Sequence, residues 1–230
     1  MSPQTQKSDE RSILKKTNFY DTKKLKVGGK LGIGGLGCVF DATYDNQPCV
    51  LKSSTNRNDD YLIVEEFDLL RLLDDKKVSG IPNILTKDLP YCNGQPGILM
   101  QKLGPDLNKQ HRETKDGKFS LENTLDIAMQ SLKILDSIHS IGIVHNDIKP
   151  ENFMYGLSDP ERLYLIDFGL ATNLTKGGEH IRNEYIGKYR GTWDYSSTKN
   201  LNKRSTSRSD DLESLALRSR EAQNRKVALG

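Results

Sequence analysis

The chain has 230 residues, of which 35% are hydrophobic and 28% are charged. This composition is typical of a folded globular protein and excludes a disordered one, and the length allows one ordinary domain or two small lobes. A net charge of +3 is too small to indicate nucleic-acid binding, so no DNA-specific partner is expected.

The cysteines indicate the cellular compartment. Cys38, Cys49 and Cys92 form neither a CxxC pair nor an even-numbered disulfide framework, which favours a reducing compartment and argues against a zinc site. No apolar stretch is long enough to cross a bilayer, and the polar start of the chain has no secretory apolar region. We therefore expect a protein of the cytoplasm, the nucleus or both, with no membrane association.

The first part of the chain is predicted to be rich in strands. Residues 1–25 are polar and basic without periodicity and predict a disordered arm. Short strands and turns follow up to residue 51, where glycines alternate with β-branched and apolar residues. Residues 60–73 carry apolar side chains at helical spacing, and residues 97–103 predict a buried strand.

The second part of the chain is predicted to be rich in helices. Ser120 is a candidate N-cap for a helix over residues 120–142, and Gly142 is a candidate stop. Residues 164–170, YLIDFGL, predict a short buried strand that runs into a glycine. The whole pattern predicts an α+β fold of two lobes joined near residues 101–106. One face of the long helix repeats Leu125, Met129, Leu132, Leu135 and Ile138.

A glycine-rich stretch at residues 32–39 has the pattern GxGxxGxV. Missing side chains let backbone amides approach phosphates, but dinucleotide-binding turns and flexible loops share this pattern. A dinucleotide-binding turn would open a helix, whereas CVFDATY after these glycines alternates like a strand. The pattern therefore predicts a loop between two strands that folds over a nucleotide.

Lys52 ends an apolar run about fifteen residues after the glycine loop. A lysine in that place often only extends its ammonium into solvent. The alternative is an ammonium that pairs with nucleotide phosphates and is held by a carboxylate, for which Glu65 and Glu66 are candidates. The apolar positions three, four and seven residues further along favour Glu66 as the inward-facing one, although both could belong to a solvated helix face.

The stretch HNDIKPEN at residues 145–152 carries the residue types that phosphoryl transfer needs. Asp147 can accept the proton of an attacking hydroxyl, Lys149 can neutralise charge on the transferred group, and the Asn152 amide oxygen can ligate Mg²⁺. Asp167, in the DFG triplet, can bridge the metal to the phosphates. Any one of these motifs alone fits a surface turn, but their order and spacing predict a phosphotransfer site.

Together these motifs resemble those of the eukaryotic protein kinase family. Finer features are similar to the casein kinase 1 group, including its vaccinia-related branch, and the resemblance covers roughly residues 26–215. The features of that group are LGPDL at 103–107, HNDIKPENF at 145–153, GTWDYSS at 191–197 and SRSDDLESL at 207–215.

The resemblance implies a bilobal kinase fold, a monomer, ATP as donor with Mg²⁺, and serine or threonine hydroxyls of protein substrates as acceptors. It divides the chain into the arm at 1–25, a β-rich N-lobe with hinge at 26–103, a partial helical C-lobe at 104–215 and a divergent basic tail at 216–230. Beyond Leu215 the sequence shows no amphipathic pattern of a long buried helix, so the last helices of the C-lobe are expected to be absent and the apolar side of helix 120–142 exposed.

The resemblance also assigns roles to individual residues. Met100 corresponds to the gatekeeper, Gln101 to Leu103 form the hinge, Met154 lies beneath the adenine, and Asp211 anchors the catalytic loop from below. The implied catalytic residues are Asp147, Lys149, Lys52 and Glu66, and the metal ligands are Asn152 and Asp167. The implied nucleotide-binding residues are Gly32, Ile33, Gly34, Gly35, Gly37, Val39, Val50, Lys52, Met100, Gln101, Leu103 and Met154.

Two departures from the family pattern concern the site. Asn146 replaces an arginine that pairs with a phosphorylated activation loop in many kinases, so activation-loop phosphorylation is not expected to be required. Val50 stands where alanine usually faces the adenine, and its extra methyl groups could crowd ATP. The leading prediction is a serine/threonine kinase, and the alternative is a truncated or inactive kinase-like module that binds nucleotide or a partner without catalysis.

A group of cations after the DFG triplet bears on the substrate. It favours acidic or already phosphorylated protein substrates, while scattered solvated cations remain the alternative explanation. The group comprises Arg182, Lys188, Arg190, Lys199, Lys203 and Arg204.

Overall fold

The computed structural model describes residues 24–34, 37–92, 94–114, 117–174 and 184–224, the last eight as backbone only. Most of the predicted arm, Gly35, Arg182 and the last six residues of the predicted tail lie outside this range. The chain divides into two compact units. The N-unit comprises Met1–Arg71 with Asn83–Lys102, and the C-unit comprises Leu72–Pro82 with Leu103–Gly230.

The N-unit is built on an antiparallel five-stranded sheet of order β1-β2-β3-β5-β4. Asp45 and Asn46 join β2 to β3 with φ angles of 51° and 63°, the left-handed pair that a two-residue hairpin turn requires. The sheet buries a small apolar cluster that includes Cys49, Leu51 and Leu99. The strands are β1 (Leu25–Gly34), β2 (Gly37–Tyr44), β3 (Gln47–Ser53), β4 (Tyr91–Cys92) and β5 (Gln95–Gln101).

Helix α1 (Asp60–Asp75) follows a 3-10 turn at Arg57–Asp59. Its buried residues Ile63, Phe67 and Leu70 recur at intervals of four and three, as the predicted helical spacing requires. This spacing sets which side chains of the helix point inward. As a result, Glu66 is buried and Glu65 is exposed.

The C-unit combines helices with short strands. Strands β6, β8 and β9 form one antiparallel sheet in that order along its width, and β7 pairs with β10. The predicted strand at 164–170 is shorter than expected, because Asp167 adopts a left-handed φ of 66° that ends the extended backbone. The remaining elements are β6 (Leu103–Asp106), α2 (Leu107–Glu113), α3 (Leu121–Ser140), β7 (Ile143–Val144), β8 (Phe153–Gly156), β9 (Leu163–Leu165), β10 (Thr172–Asn173), α4 (Thr198–Leu201) and α5 (Arg208–Asn224), with 3-10 turns at Pro150–Asn152 and Trp193–Tyr195.

Helix α3 has the predicted ends. The Ser120 hydroxyl accepts a hydrogen bond from Asn123 N at 3.1 Å, and Gly142, with a φ of 83°, donates to His139 O at 3.1 Å. The predicted apolar face is divided, because Leu135 and Ile138 are buried while the preceding part of the stripe is exposed. The exposed side chains are Leu121 (76%), Leu125 (56%), Met129 (55%) and Leu132 (48%).

Helix α5 continues to Asn224, in a segment where the sequence shows no amphipathic pattern of a long buried helix past Leu215. The residues between these positions include alanine, arginine, glutamate and glutamine, which favour helix by intrinsic propensity without forming an apolar stripe. Periodicity alone therefore does not indicate this helical extension. Among the described helices, none combines the length and the apolar character needed to span a membrane.

The thiols of the N-unit core provide a test of this packing. Burial raises the pKa of Cys49 and of Cys92, so the folded chain holds less thiolate at a given pH than the unfolded chain. We expect both residues to react with iodoacetamide at pH 8 about tenfold more slowly in the native chain than in urea, with rates measured by peptide mass spectrometry.

The partly exposed Cys38 serves as the reference thiol in the same chain. Because the pKa of each buried thiol is raised, both thiols stay protonated to higher pH in the folded chain than in the unfolded chain. The free energy of unfolding should therefore fall as pH rises past the ordinary thiol pKa. Equal labelling of Cys49 and Cys92 in native and unfolded chain would contradict the burial described here.

Candidate active site

The N-unit contains a buried ion pair between the end of β3 and helix α1. Lys52 Nζ lies 2.7 Å from Glu66 Oε1 and 2.6 Å from Oε2, and the two residues are 6% and 2% exposed. Glu65, one residue earlier, is exposed. A lysine held inside in this way cannot extend into bulk solvent, so its ammonium stays at a fixed place.

The glycine-rich stretch forms the end of the hairpin between β1 and β2. Gly32 pairs with Val39 and Gly34 with Gly37, and as predicted a strand follows the glycines. A Cβ on Gly37 would collide with the carbonyl oxygen of Ser53 in β3, so only glycine fits this approach of two backbones. The tip of the loop includes Gly35, which lies outside the described residues.

The predicted adenine-facing residue Val50 and the predicted gatekeeper Met100 lie on neighbouring strands. Val50 in β3 pairs with Met100 in β5, and Gln101 N donates to Asn83 O at 2.9 Å. Lys102 Nζ lies 2.7 Å from Asp41 Oδ1, and this hydrogen bond holds the pKa of Asp41 below its usual value. These contacts fix the backbone of β5 at its C-terminal end.

Two further predicted nucleotide-binding residues belong to the C-unit. Leu103 in β6 pairs with Gly156, and Met154 in β8 pairs with Asp106. Both side chains are partly exposed. The ladder between β6 and β8 thus holds these two residues in a defined register.

In the C-unit, Asp147 is the centre of a hydrogen-bonded cluster. Its Oδ2 lies 2.7 Å from Lys149 Nζ and accepts from Asn152 Nδ2 at 3.0 Å, while Asn152 Nδ2 also donates to Asp147 O at 2.7 Å. Oδ1 accepts from the Thr192 hydroxyl at 2.9 Å. Both carboxylate oxygens are therefore oriented by fixed donors, and the carboxylate is buried.

Thr192 is a site residue that the sequence reasoning did not single out. Its hydroxyl accepts from Lys149 Nζ at 2.9 Å and donates to Asp147, so it links the cation and the carboxylate. Gly191 before it has a φ of 92°, and a Cβ there would collide with the Asn146 carbonyl. The signal for this role in the sequence is the GTWDYSS motif, because its Gly-Thr pair places the Thr192 hydroxyl against the catalytic loop.

Asp211 holds the catalytic loop through the backbone. Its Oδ2 accepts from His145 N at 2.8 Å and its Oδ1 accepts from Asn146 N at 2.9 Å, and His139 Nε2 lies 2.8 Å from Oδ2. This buried carboxylate from α5 is placed as the kinase resemblance implies for an anchor below the loop. Removing it would leave the buried backbone amide of His145 and the partly buried one of Asn146 without their acceptor.

His145 connects the catalytic loop to the DFG triplet, a contact that sequence reasoning did not identify. Asp147 N donates to His145 Nδ1 at 3.3 Å, so the ring proton lies on Nε2, which donates to Ile166 O at 3.0 Å. The imidazole also meets the Phe168 ring edge to face, with centroids 4.8 Å apart. The backbone next to Asp167 is thereby tied to the backbone of Asp147.

The residues predicted to hold Mg²⁺ suit that ion chemically. The Asn152 amide nitrogen is committed to Asp147, which leaves the amide oxygen as the ligand atom, and Asp167 supplies a carboxylate. Oxygen donors are the ligands that Mg²⁺ prefers, with substrate phosphates and water completing its shell. Among the residues that the structure describes, no group of three or more His, Cys, Asp and Glu side chains forms an all-protein metal cage.

The buried ion pair gives a stability prediction with a matched control. Glu66→Gln removes the carboxylate that pairs with the buried Lys52 ammonium and should lower the free energy of unfolding by about 3–5 kcal/mol. Glu65→Gln makes the same chemical change on the exposed side of α1 and should alter it by less than about 0.5 kcal/mol. Urea denaturation followed by far-UV circular dichroism measures both, and equal losses would refute the assigned pairing.

Comparisons with known proteins identify the family to which the chain belongs. The family model for the protein kinase domain matches residues 25–227, which extends past Leu215, where the resemblance was expected to stop. A probable serine/threonine-protein kinase of Dictyostelium discoideum is 31% identical over 202 residues, covering 81% of this chain and 38% of that protein. Casein kinase I homolog 1 of Schizosaccharomyces pombe is 32% identical over 203 residues, covering 83% and 43%.

The chain thus spans roughly two fifths of the length of the curated relatives it matches. Among solved structures, one of vaccinia related kinase 3 has a TM-score of 0.70 at 17% identity, covering 88% of this chain and 65% of that one, which shows a shared fold. The predicted α+β kinase-like fold is therefore confirmed. The chain belongs to the protein kinase domain family, as a casein kinase 1-like eukaryotic protein kinase.

Proposed function

We propose that the protein is a casein kinase 1-like serine/threonine kinase that transfers the γ-phosphoryl group of ATP to hydroxyl groups of protein substrates. The observation that carries this proposal is the environment of Asp147, whose two carboxylate oxygens are oriented by Thr192, Lys149 and Asn152 at 2.7–3.0 Å. Such an arrangement suits a carboxylate that orients an acceptor hydroxyl and takes its proton.

These groups account for each bond and proton in the phosphoryl transfer. The acceptor oxygen forms a bond to the γ-phosphorus, the bond from that phosphorus to the bridging oxygen breaks, ADP leaves, and the hydroxyl proton goes to Asp147. Lys149, within hydrogen-bond distance of Asp147 and Thr192, would neutralise charge on the transferred group. Mg²⁺ would neutralise the phosphates, and Asn152 with Asp167 would hold it.

The nucleotide side of the proposal rests on the N-unit. Lys52 would pair with nucleotide phosphates, with Glu66 fixing its ammonium, and the glycines at 32–37 would bring backbone amides to the same phosphates. The partly exposed Val50 and Met100 would face the adenine. These roles are proposals, supported by the placement of the residues in the sheet and in helix α1.

Replacing the proposed base tests the reaction. We expect Asp147→Asn to lower kcat for phosphate transfer to an acidic test protein by about 10²–10⁴-fold, measured with radiolabelled ATP and Mg²⁺. Asp159→Asn changes an exposed aspartate of the same unit and should leave kcat unchanged.

The alternative predicts a different pair of results. If wild-type chain transfers no phosphate while ATP with Mg²⁺ still raises the melting temperature, the protein is a nucleotide-binding module without catalysis. If ATP has neither effect, both the kinase and the nucleotide-binding proposals fail.

We further propose that the protein substrates are acidic or already phosphorylated. Ile186 N donates to Lys203 O and Ser205 N to Glu184 O, each at 2.8 Å, so residues 184–186 lie beside residues 203–205. This pairing brings the segment just before Lys188 beside the segment that carries Lys203, and both lysines are exposed. Arg190, by contrast, donates to Thr172 Oγ1 at 2.8 Å and supports the loop internally.

Removing two of these charges distinguishes selectivity for acidic substrates from the alternative that the cations are only solvated surface charges. Lys188→Gln with Lys203→Gln should raise KM for an acidic peptide by about three- to tenfold and leave KM for a neutral peptide unchanged. Lys76→Gln with Lys87→Gln removes the same charge from exposed lysines elsewhere and is the control. A uniform rise in KM for both peptides, or none, would contradict acidic selectivity.

A further inference from the structure

Helix α3 carries an exposed apolar surface, the α3 stripe, formed by Leu121, Leu125, Met129 and Leu132. These side chains follow one another at intervals of four, four and three residues, which places them on one side of the helix. Single exposed apolar residues are ordinary on a protein surface. A contiguous exposed apolar stripe, by contrast, is typical of a surface that binds another molecule.

The other sides of α3 are anchored within the C-unit. Leu135 and Ile138 are fully buried. The Gln130 side chain accepts from Leu163 N at 2.8 Å and donates to Glu161 O at 2.9 Å. The helix is therefore fixed against its own unit, and it presents the α3 stripe in one direction.

The spacing of the α3 stripe suits a second copy of the chain packed antiparallel across it. With a two-fold axis near residue 127, Leu125 lies opposite Met129 of the second copy. The same register places Leu121 opposite Leu132 of the second copy, and the symmetry repeats both contacts. All four exposed side chains of each copy thereby meet apolar partners, so that water is excluded from both stripes at once.

The charges beside the stripe fit the same antiparallel register. On a helix of about 3.6 residues per turn, Glu122 and Lys133 lie on the same flank of the stripe, at its opposite ends. Both are exposed, and within the described residues neither has an ion-pair partner. Asp126, on the same flank, accepts from Gln130 Nε2 at 2.7 Å in its own helix. An antiparallel pair brings like flanks together, so Glu122 of each copy lies beside Lys133 of the other.

We propose that the α3 stripe is a homodimer interface, in which two copies of the chain pack antiparallel through α3 with Glu122 of each beside Lys133 of the other. This inference departs from the monomer that the family resemblance implies, and it does not depend on phosphate transfer. The contact is a single helix face about 16 Å long, which is small beside a standard interface of roughly 800 Å² per partner. We therefore expect a weak dimer, with a Kd on the order of tens of micromolar, and a monomer with an exposed stripe in dilute solution.

Sedimentation equilibrium of the full chain, without nucleotide, tests the apolar contact. Between about 1 and 200 µM, wild type should pass from monomer to dimer by mass action. Leu125→Lys places a charge at the centre of the stripe and should raise Kd at least about tenfold. Leu157→Lys makes the same change at a leucine of the same unit that lies outside α3 and is 53% exposed, and Kd should stay within about twofold of wild type. Far-UV circular dichroism of the dilute variants checks that both remain folded.

A charge exchange tests the antiparallel register. Lys133→Glu alone, or Glu122→Lys alone, places like charges beside each other at both ends of the interface and should raise Kd about three- to tenfold at low salt. The double variant Glu122→Lys with Lys133→Glu restores attraction with the signs exchanged, and its Kd should return to within about twofold of wild type. High salt should reduce the effect of both single changes, because these charges are exposed.

Three results would count against the proposal. A wild-type chain that stays monomeric at every concentration would overturn the homodimer, and the α3 stripe would then be a surface for a different partner. A dimer that persists in Leu125→Lys but dissociates in Leu157→Lys would lie on another surface. A dimer that Leu125→Lys weakens, but that neither single charge change affects or the double variant does not restore, would overturn the antiparallel register.

Discussion

The carboxylate of Asp211 beneath the catalytic loop is the contact on which the arrangement of the C-unit site depends. It lies in the first turn of α5 and accepts from the buried backbone amide of His145 and the partly buried amide of Asn146, which would otherwise lose their acceptor. With these amides fixed, His145 can bond Ile166 on one side and Asp147 can meet Lys149 and Thr192 on the other. Hydrogen bonds from Asp211 to the backbone thus fix the catalytic loop, and the fixed loop positions the proposed reacting groups.

The two units use different physical means to hold their functional side chains. In the N-unit, Lys52 and Glu66 form a buried ion pair, in which each charge helps to compensate the other. In the C-unit, Asp147 is surrounded by a cation, an amide and a hydroxyl, so that its orientation is shared among several donors. The first arrangement fixes a charge in one place, while the second fixes the direction of both carboxylate oxygens.

Much of the fold could be predicted because local patterns and spacing agreed with each other. The strand after the glycines, the cap at Ser120 and the inward side of α1 follow from alternation, capping chemistry and helical spacing. The roles of Thr192 and His145 could not be predicted in this way, because their partners are distant in the chain and no periodicity connects them. The extension of α5 to Asn224 could not be predicted from periodicity for a related reason, since helix propensity without an apolar stripe leaves no periodic signal.

The exposed stripe of α3 has a thermodynamic consequence for the folded chain. Four large apolar side chains on that helix already face water in the native state, so unfolding transfers less apolar surface to solvent than a fully covered helix would. The heat capacity of unfolding rises with newly exposed apolar area, and the denaturant dependence rises with total newly exposed area. The stability curve of the C-unit should therefore be flatter, and its denaturation transition broader, than those of a domain of similar size whose helices are covered on all apolar sides.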